Sequence, residues 1–89
     1  MDNLSELIGI LSAETDKAVM RKMLEELLTP AEREDIAKRW YLLKELYRGT
    51  PQRKIAQDME ISLCKITRGS RILKQDDSVF RKILSEMYD

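Results

Sequence analysis

The chain has 89 residues, 43% hydrophobic and 36% charged, with a formal net charge of zero, three Gly, two Pro, one Cys and no His. A chain of this length makes one domain, residues 1–89, and buries only about 60–65% of its unfolded surface, so its core is thin. With one Cys and no His, an internal disulfide, the usual zinc sites and a His-based catalytic triad are excluded within one chain, and Cys64 fits a reducing compartment.

Leu4, Leu7, Ile8 and Leu11 recur at helical spacing and predict a short amphipathic helix ending near Ser12-Ala13. A second helix is expected from about residue 14 to residue 28. Its apolar face carries Val19, Met20, Met23, Leu24, Leu27 and Leu28, and Glu14 and Asp16 suit its positive end. Thr29-Pro30-Ala31-Glu32 reads as a capping box with Pro at the first helical position. It predicts a third, long helix from Pro30 to about Gly49, where an αL cap is expected. Ile36, Trp40, Leu43 and Tyr47 line one face of this spine, widened by Ala37, Leu42 and Leu46. Trp40 and Tyr41 read as packing residues.

Residues 52–74, QRKIAQDMEISLCKITRGSRILK, read as a helix, a tight turn and a second helix: a DNA-reading helix-turn-helix over 51–74. Thr50 is expected to cap the first of these and Pro51 to sit at its first position. Glu60-Ile61-Ser62 makes the turn, where many such sequences place Gly, and Ser62 is the expected cap of the second helix. Leu63, Ile66, Gly69 and Leu73 follow inward spacing, leaving Lys65, Arg68, Arg71 and Lys74 to the other faces. This stretch carries six basic against two acidic residues, net +4, while residues 1–51 and 75–89 are each net −2. The neutral total hides one basic patch of the kind that meets phosphates. Gln75-Asp76-Asp77-Ser78 predicts a turn, and Val79, Phe80, Ile83, Leu84 and Met87 a last amphipathic helix over 77–89.

No apolar run approaches the roughly 20 residues of a membrane span. Met1-Asp2-Asn3 is acidic where a signal peptide is basic. A cytoplasmic, all-α protein without membrane or metal is expected. Six helices, several of only about 10 residues, are individually marginal in water. Packing the apolar faces of 1–49 and 77–89 across a two-fold axis would give a six-helix homodimer, which also suits a palindromic operator; the alternative is a monomer with exposed leucines.

Two motifs, Leu28-Thr29-Pro30-Ala31-Glu32-Arg33-Glu34 and Ile66-Thr67-Arg68-Gly69-Ser70, with Gln52-Arg53 between them, resemble the tryptophan repressor family, a familiar example of the helix-turn-helix class. The resemblance is strong over residues 28–74 and looser on the flanks, and the loop at Thr50-Pro51 is one residue shorter than the family's usual form. It implies an intertwined all-helical homodimer that binds L-tryptophan or an indole analogue as corepressor and then palindromic operator DNA, repressing transcription.

Carried over position by position, the resemblance puts Arg39 and Arg68 on the two faces of an indole, with Arg68 also pairing with the ligand carboxylate. Gly69 leaves room for the ring and Thr29 helps hold the carboxylate side. Backbone carbonyls near Glu26 and Leu28 of the partner chain receive the ammonium. Guanidinium planes stack on aromatic rings and pair with carboxylates, which fits these roles independently. A close helix crossing is the plainer reading of Gly69, and phosphate contacts or salt bridges that of the arginines. Ile72 stands where the family usually has a serine near the ammonium. It offers no hydrogen bond, so tryptophan is expected to bind more weakly, or the effector to lack the ammonium.

For DNA, Gln52 and Arg53 match operator-contacting positions, and Arg53 suits a guanine edge. Leu63, Cys64 and Lys65 occupy the exposed start of the reading helix, with Lys65 replacing a small polar residue typical of the family there. Thr67 and Lys74 suit phosphate. Two competing readings are a helix-turn-helix regulator without a small-molecule effector and a helical module whose basic patch meets an acidic protein. No paired catalytic constellation suggests an enzyme.

Overall fold

The structure, a computed structural model, describes residues 2–89; Met1, part of the expected segment 1–49, lies outside them. Among these residues are six helices and no strand: α1 (Asn3–Ala13), α2 (Lys17–Leu27), α3 (Pro30–Tyr47), α4 (Gln52–Met59), α5 (Leu63–Lys74) and α6 (Val79–Tyr88). The chain divides within α3 into two units, the first ending at Asp35 and the second covering Ile36–Asp89. None of the helices is long and apolar enough to cross a membrane.

In the first unit, short polar side chains decide where each helix begins. Asp2 caps α1, accepting from the Leu4 amide at 3.1 Å and the Ser5 hydroxyl at 2.9 Å. The expected start of α2 near residue 14 is corrected to Lys17, because Asp16 is the N-cap and accepts from the Ala18 amide at 2.8 Å. Glu14 in turn accepts from the Asp16 amide at 3.1 Å. These carboxylates offer the backbone a turn in place of a helix, so residues 14–16 become the connection. Thr29 and Glu32 form the reciprocal capping box, with amide-to-oxygen distances of 2.9 and 3.1 Å. No residue of α1 or α2 is buried.

In the second unit, α3 stops in a Schellman arrangement. Gly49, at φ +86°, donates to the Leu46 carbonyl at 3.1 Å, and Thr50 donates to the Glu45 carbonyl at 3.0 Å. The expected cap at Thr50 is corrected. Pro51 is the N-cap of α4, its carbonyl accepting from the Ile55 amide at 3.1 Å. The Thr50 hydroxyl instead donates to the Glu45 carboxylate at 2.9 Å. Thr50 is drawn back because its own amide closes the end of α3, while the residue before a proline is held out of the helical region.

Two small clusters make the core. Leu42, Ile55 and Ile66 pack with Ala56, Met59 and Ile61; Leu43, Leu73 and Leu84 pack with Trp40 and Tyr47; Leu46 touches both clusters. Ile66 and Leu84 are fully buried. The spine therefore presents adjacent leucines, Leu42 to the α4–α5 pair and Leu43 to Leu73 near the end of α5 and Leu84 on α6. Ile36, expected inward, is 49% exposed, and Leu63, read as inward by spacing and as exposed by its place at the helix start, is 52% exposed. Leu63 is the first residue of α5, and a helical side chain leans toward the N-terminus, here past the end of the packed surface. Trp40 does pack, at 5.8 Å from Phe80 and tilted 51°.

Candidate functional site

The α4–α5 pair is joined by a turn in which Glu60 holds the left-handed conformation at φ 55°. A non-glycine residue thus takes the position that often favours glycine. The Ile61 amide closes the turn on the Ala56 carbonyl at 3.2 Å, and the Ser62 hydroxyl caps α5 at the Lys65 amide, 3.4 Å. Ile55, Ala56, Ile61 and Ile66 are the inner side of this unit. Its outer side carries Gln52, Arg53, Lys54, Leu63, Cys64, Lys65, Thr67, Arg68, Arg71 and Lys74, all exposed. The acidic residue of α4, Asp58, offsets Lys54 at 3.5 Å.

The Thr67 hydroxyl donates to the Leu63 carbonyl at 2.8 Å, inside its own helix. Its proton is therefore committed, and a phosphate contact from Thr67 requires the hydroxyl to turn. On the approach to α4, Glu45 joins Thr50 to Tyr41. The Tyr41 hydrogen bond, and then that of Thr50, hold the Glu45 carboxyl below its ordinary value, and the same carboxylate raises the Tyr41 phenol.

Of the expected effector residues in the second unit, Gly69 is buried, Ile72 is half-buried and Arg39 and Arg68 are exposed. Arg39, Leu42 and Leu46 recur at helical spacing on one face of α3. A Cβ placed on Gly69 would stand 3.0 Å from Leu46 Cδ1 and 3.3 Å from Leu42 Cδ2. Gly69 therefore marks a close crossing of α3 and α5, filled by leucine methyls where its side chain would project. A cavity of about 450 Å³ opens elsewhere, beside Gly49, Thr50, Gln52, Ser70 and Lys74; neither Arg39 nor Arg68 lines it.

In the first unit, Glu26 and Thr29 are exposed and Leu28 is half-buried. The Thr29 hydroxyl serves the capping box. The Leu28 carbonyl accepts from the Arg33 guanidinium at 2.8 Å, which also reaches the Glu25 carbonyl at 3.2 Å. Arg33 stands within the Leu28–Glu34 motif, but the sequence assigns it no role. Only its place directly after the capping box, in the first turn of α3, hints at one. Arg81 carries no such signal: in sequence it is one of two adjacent basic residues, with Lys82, on the last helix. Among the described residues, no three Cys, Asp or Glu side chains gather as a metal site requires.

The family described as Trp repressor protein matches residues 2–88. A Trp operon repressor homolog from Actinobacillus succinogenes is 33% identical over the whole chain and 89% of that relative. Homologs of the same name from Chlamydia trachomatis serovar L2 and Vibrio campbellii are 36% and 34% identical, covering 79% and 78% of this chain and 80% and 70% of theirs. No solved structure matches the chain. With a family match over nearly every residue and relatives a third identical along most of its length, the chain belongs to the Trp repressor protein family, whose members are transcriptional repressors rather than enzymes.

Proposed function

We propose that this chain is a cytoplasmic, DNA-binding transcriptional repressor that works as a homodimer and answers to L-tryptophan or a related indole compound. The observation that carries the DNA reading is the α4–α5 pair: one apolar side, one exposed side bearing the chain's net positive segment. In this reading Gln52 and Arg53 enter at the start of α4, with Arg53 reading a guanine edge. Leu63, Cys64 and Lys65 form the leading end of the reading helix, and Thr67 and Lys74 meet phosphate. Residues 51–74 are the helix-turn-helix, while 1–49 and 77–89 provide dimerisation helices within a single domain. The bare apolar side chains of α1 and α2, among them Leu4, Ile8, Ile10 and Leu27, support a dimer that covers them.

For the effector, Arg39 and Arg68 would stack on the indole and Arg68 would pair with the carboxylate. Gly69 and Ile72 would line the ring, and Glu26, Leu28 and Thr29 would keep the roles the family resemblance gives them. Two features weigh against a bound ammonium. Ile72 offers no hydrogen bond, and one lone pair of the Leu28 carbonyl already serves Arg33. An indole carboxylate without the amine suits this chain better than tryptophan itself. The packing of Leu42 and Leu46 against Gly69 favours a second reading, a regulator of the same kind with no effector.

One titration separates these readings. Binding to duplex DNA selected from a random pool is followed from low to high salt, alone and with tryptophan or indole-3-propionate. A sequence-selective complex whose affinity falls steeply with salt supports the repressor. Tighter DNA binding with indole-3-propionate than with tryptophan supports the amine-free effector, and indifference to both supports the second reading. Binding without sequence preference or salt dependence overturns the DNA reading altogether.

A further inference from the structure

The last turn of a helix leaves four carbonyls without helical partners. At the end of α5 the Ile72 carbonyl accepts from the Gln75 amide at 3.3 Å. The Leu73 carbonyl accepts from Arg81 Nη1 at 3.3 Å, and the Asp76 carbonyl in the following turn accepts from Arg81 Nη2 at 2.9 Å. Arg81 is itself fixed, because the Ser78 hydroxyl caps its amide at 3.1 Å as α6 begins. Leu73 is thus tied to α6 twice, by its carbonyl to Arg81 and by its side chain to the fully buried Leu84. A planar fork that bonds two carbonyls sets both distance and angle, whereas a lysine ammonium on a flexible stem sets neither.

We infer that Arg81 is a positioning residue for DNA binding: it fixes the C-terminal end of α5 relative to α6, and so sets the angle at which the reading helix meets the groove, without touching DNA. The inference rests on the proposal that α5 reads DNA. It also predicts a local effect on α5 that needs no DNA.

The test is Arg81→Lys, which keeps the charge and loses the fork. On a selected duplex the variant should bind about tenfold more weakly, within the range by which distant sites couple. Its dependence of log affinity on log salt should equal that of the unsubstituted protein. The neighbouring Lys82→Gln, which breaks no such bonds, should stay within about twofold after allowance for one lost charge. Amide exchange of Leu73 and Lys74 should quicken about tenfold in Arg81→Lys while that of Ile55 is unchanged. Equal affinity of Arg81→Lys and the unsubstituted protein would overturn the inference. So would an Arg81→Gln variant whose only defect is a salt slope smaller by about one, since that is the mark of a direct phosphate contact. If the unsubstituted protein binds no DNA, the DNA reading fails by itself; unchanged exchange at Leu73 and Lys74 would then separately reject the clamp.

Discussion

Leu46 on α3 lies against Gly69 on α5 so closely that a β-carbon on the glycine would come within 3.0 Å of the leucine Cδ1. The nearest atoms are methyl ends, and Leu46 is only half-buried, so a single carbon can be accommodated by a small rotation. Alanine also gains helix propensity worth about 1 kcal/mol over glycine. Gly69→Ala should therefore stay within about 1 kcal/mol of the parent in urea unfolding. Gly69→Val, which adds branching against the buried Leu42, should cost about 2 kcal/mol or more. Equal stability of the two variants would mean the crossing is looser than its geometry implies.

Glu60 holds a left-handed backbone that costs a non-glycine residue about 1–2 kcal/mol. Part of that is recovered by the lower chain entropy of Glu in the unfolded state. Glu60→Gly should raise stability by about 0.5–1 kcal/mol, read as a higher urea midpoint at unchanged slope. A lower midpoint would show that the Glu60 side chain has a role its conformation does not reveal.

The capping box sets an acid limb. Hydrogen bonding from the Thr29 amide, then from its hydroxyl, holds the Glu32 carboxyl below its ordinary 4.5. Glu45 is lowered from the same value by Tyr41 and then Thr50. The folded state binds these protons less tightly than the unfolded chain, so both groups stabilise the fold above pH 4.5. That contribution fades as pH falls through their lower folded values. Glu45→Gln should flatten the fall of Tm in this window, and Thr29→Ala should cost about 1 kcal/mol at neutral pH through the lost cap. A Glu45→Gln variant with the parent's acid limb would remove Glu45 from the account.

At the other end of the scale, the Tyr47 hydroxyl donates to the Asp89 carboxylate at 2.6 Å, and that bond raises the phenol above its ordinary 10.0. The folded state holds this proton more tightly, so the bond stabilises the fold below pH 10.0. It is lost as pH rises through the higher folded value. Tyr47→Phe should lower Tm at neutral pH and remove this part of the alkaline decline. A variant that melts like the parent at both pH values would show the bond to be inconsequential.

The helices were readable because each carries an apolar rhythm, and two of them a clear polar starter as well: Thr29 with Glu32 for α3 and Ser62 for α5. Where two starters compete, as Glu14 and Asp16 do, or where Thr50 stands between a helix end and a proline, local grammar admits more than one answer and tertiary partners choose. Leu63 carries two readings, inward by spacing and exposed by its place at the start of α5, because spacing alone cannot tell the first position of a packed stripe from the last exposed one; the structure leaves it exposed. The basic face was legible as a charge count over residues 52–74. The filling of the Gly69 crossing was not, since both a vacancy and a close contact call for the same small residue. The role of Arg81 was invisible, and that of Arg33 only hinted at by its place after the capping box, because carbonyls at helix ends have no sequence signature.

No polar or charged side chain is buried among the described residues; the buried side chains are leucine and isoleucine. Nothing inside the molecule therefore demands a particular chemical partner. Over evolutionary time, aliphatic residues there should interchange with little penalty as long as total volume is kept. Within the core, aliphatic swaps should therefore be common among such chains, while the short polar residues at helix starts stay put; a fold pinned by an internal polar network would instead hold its core residues fixed.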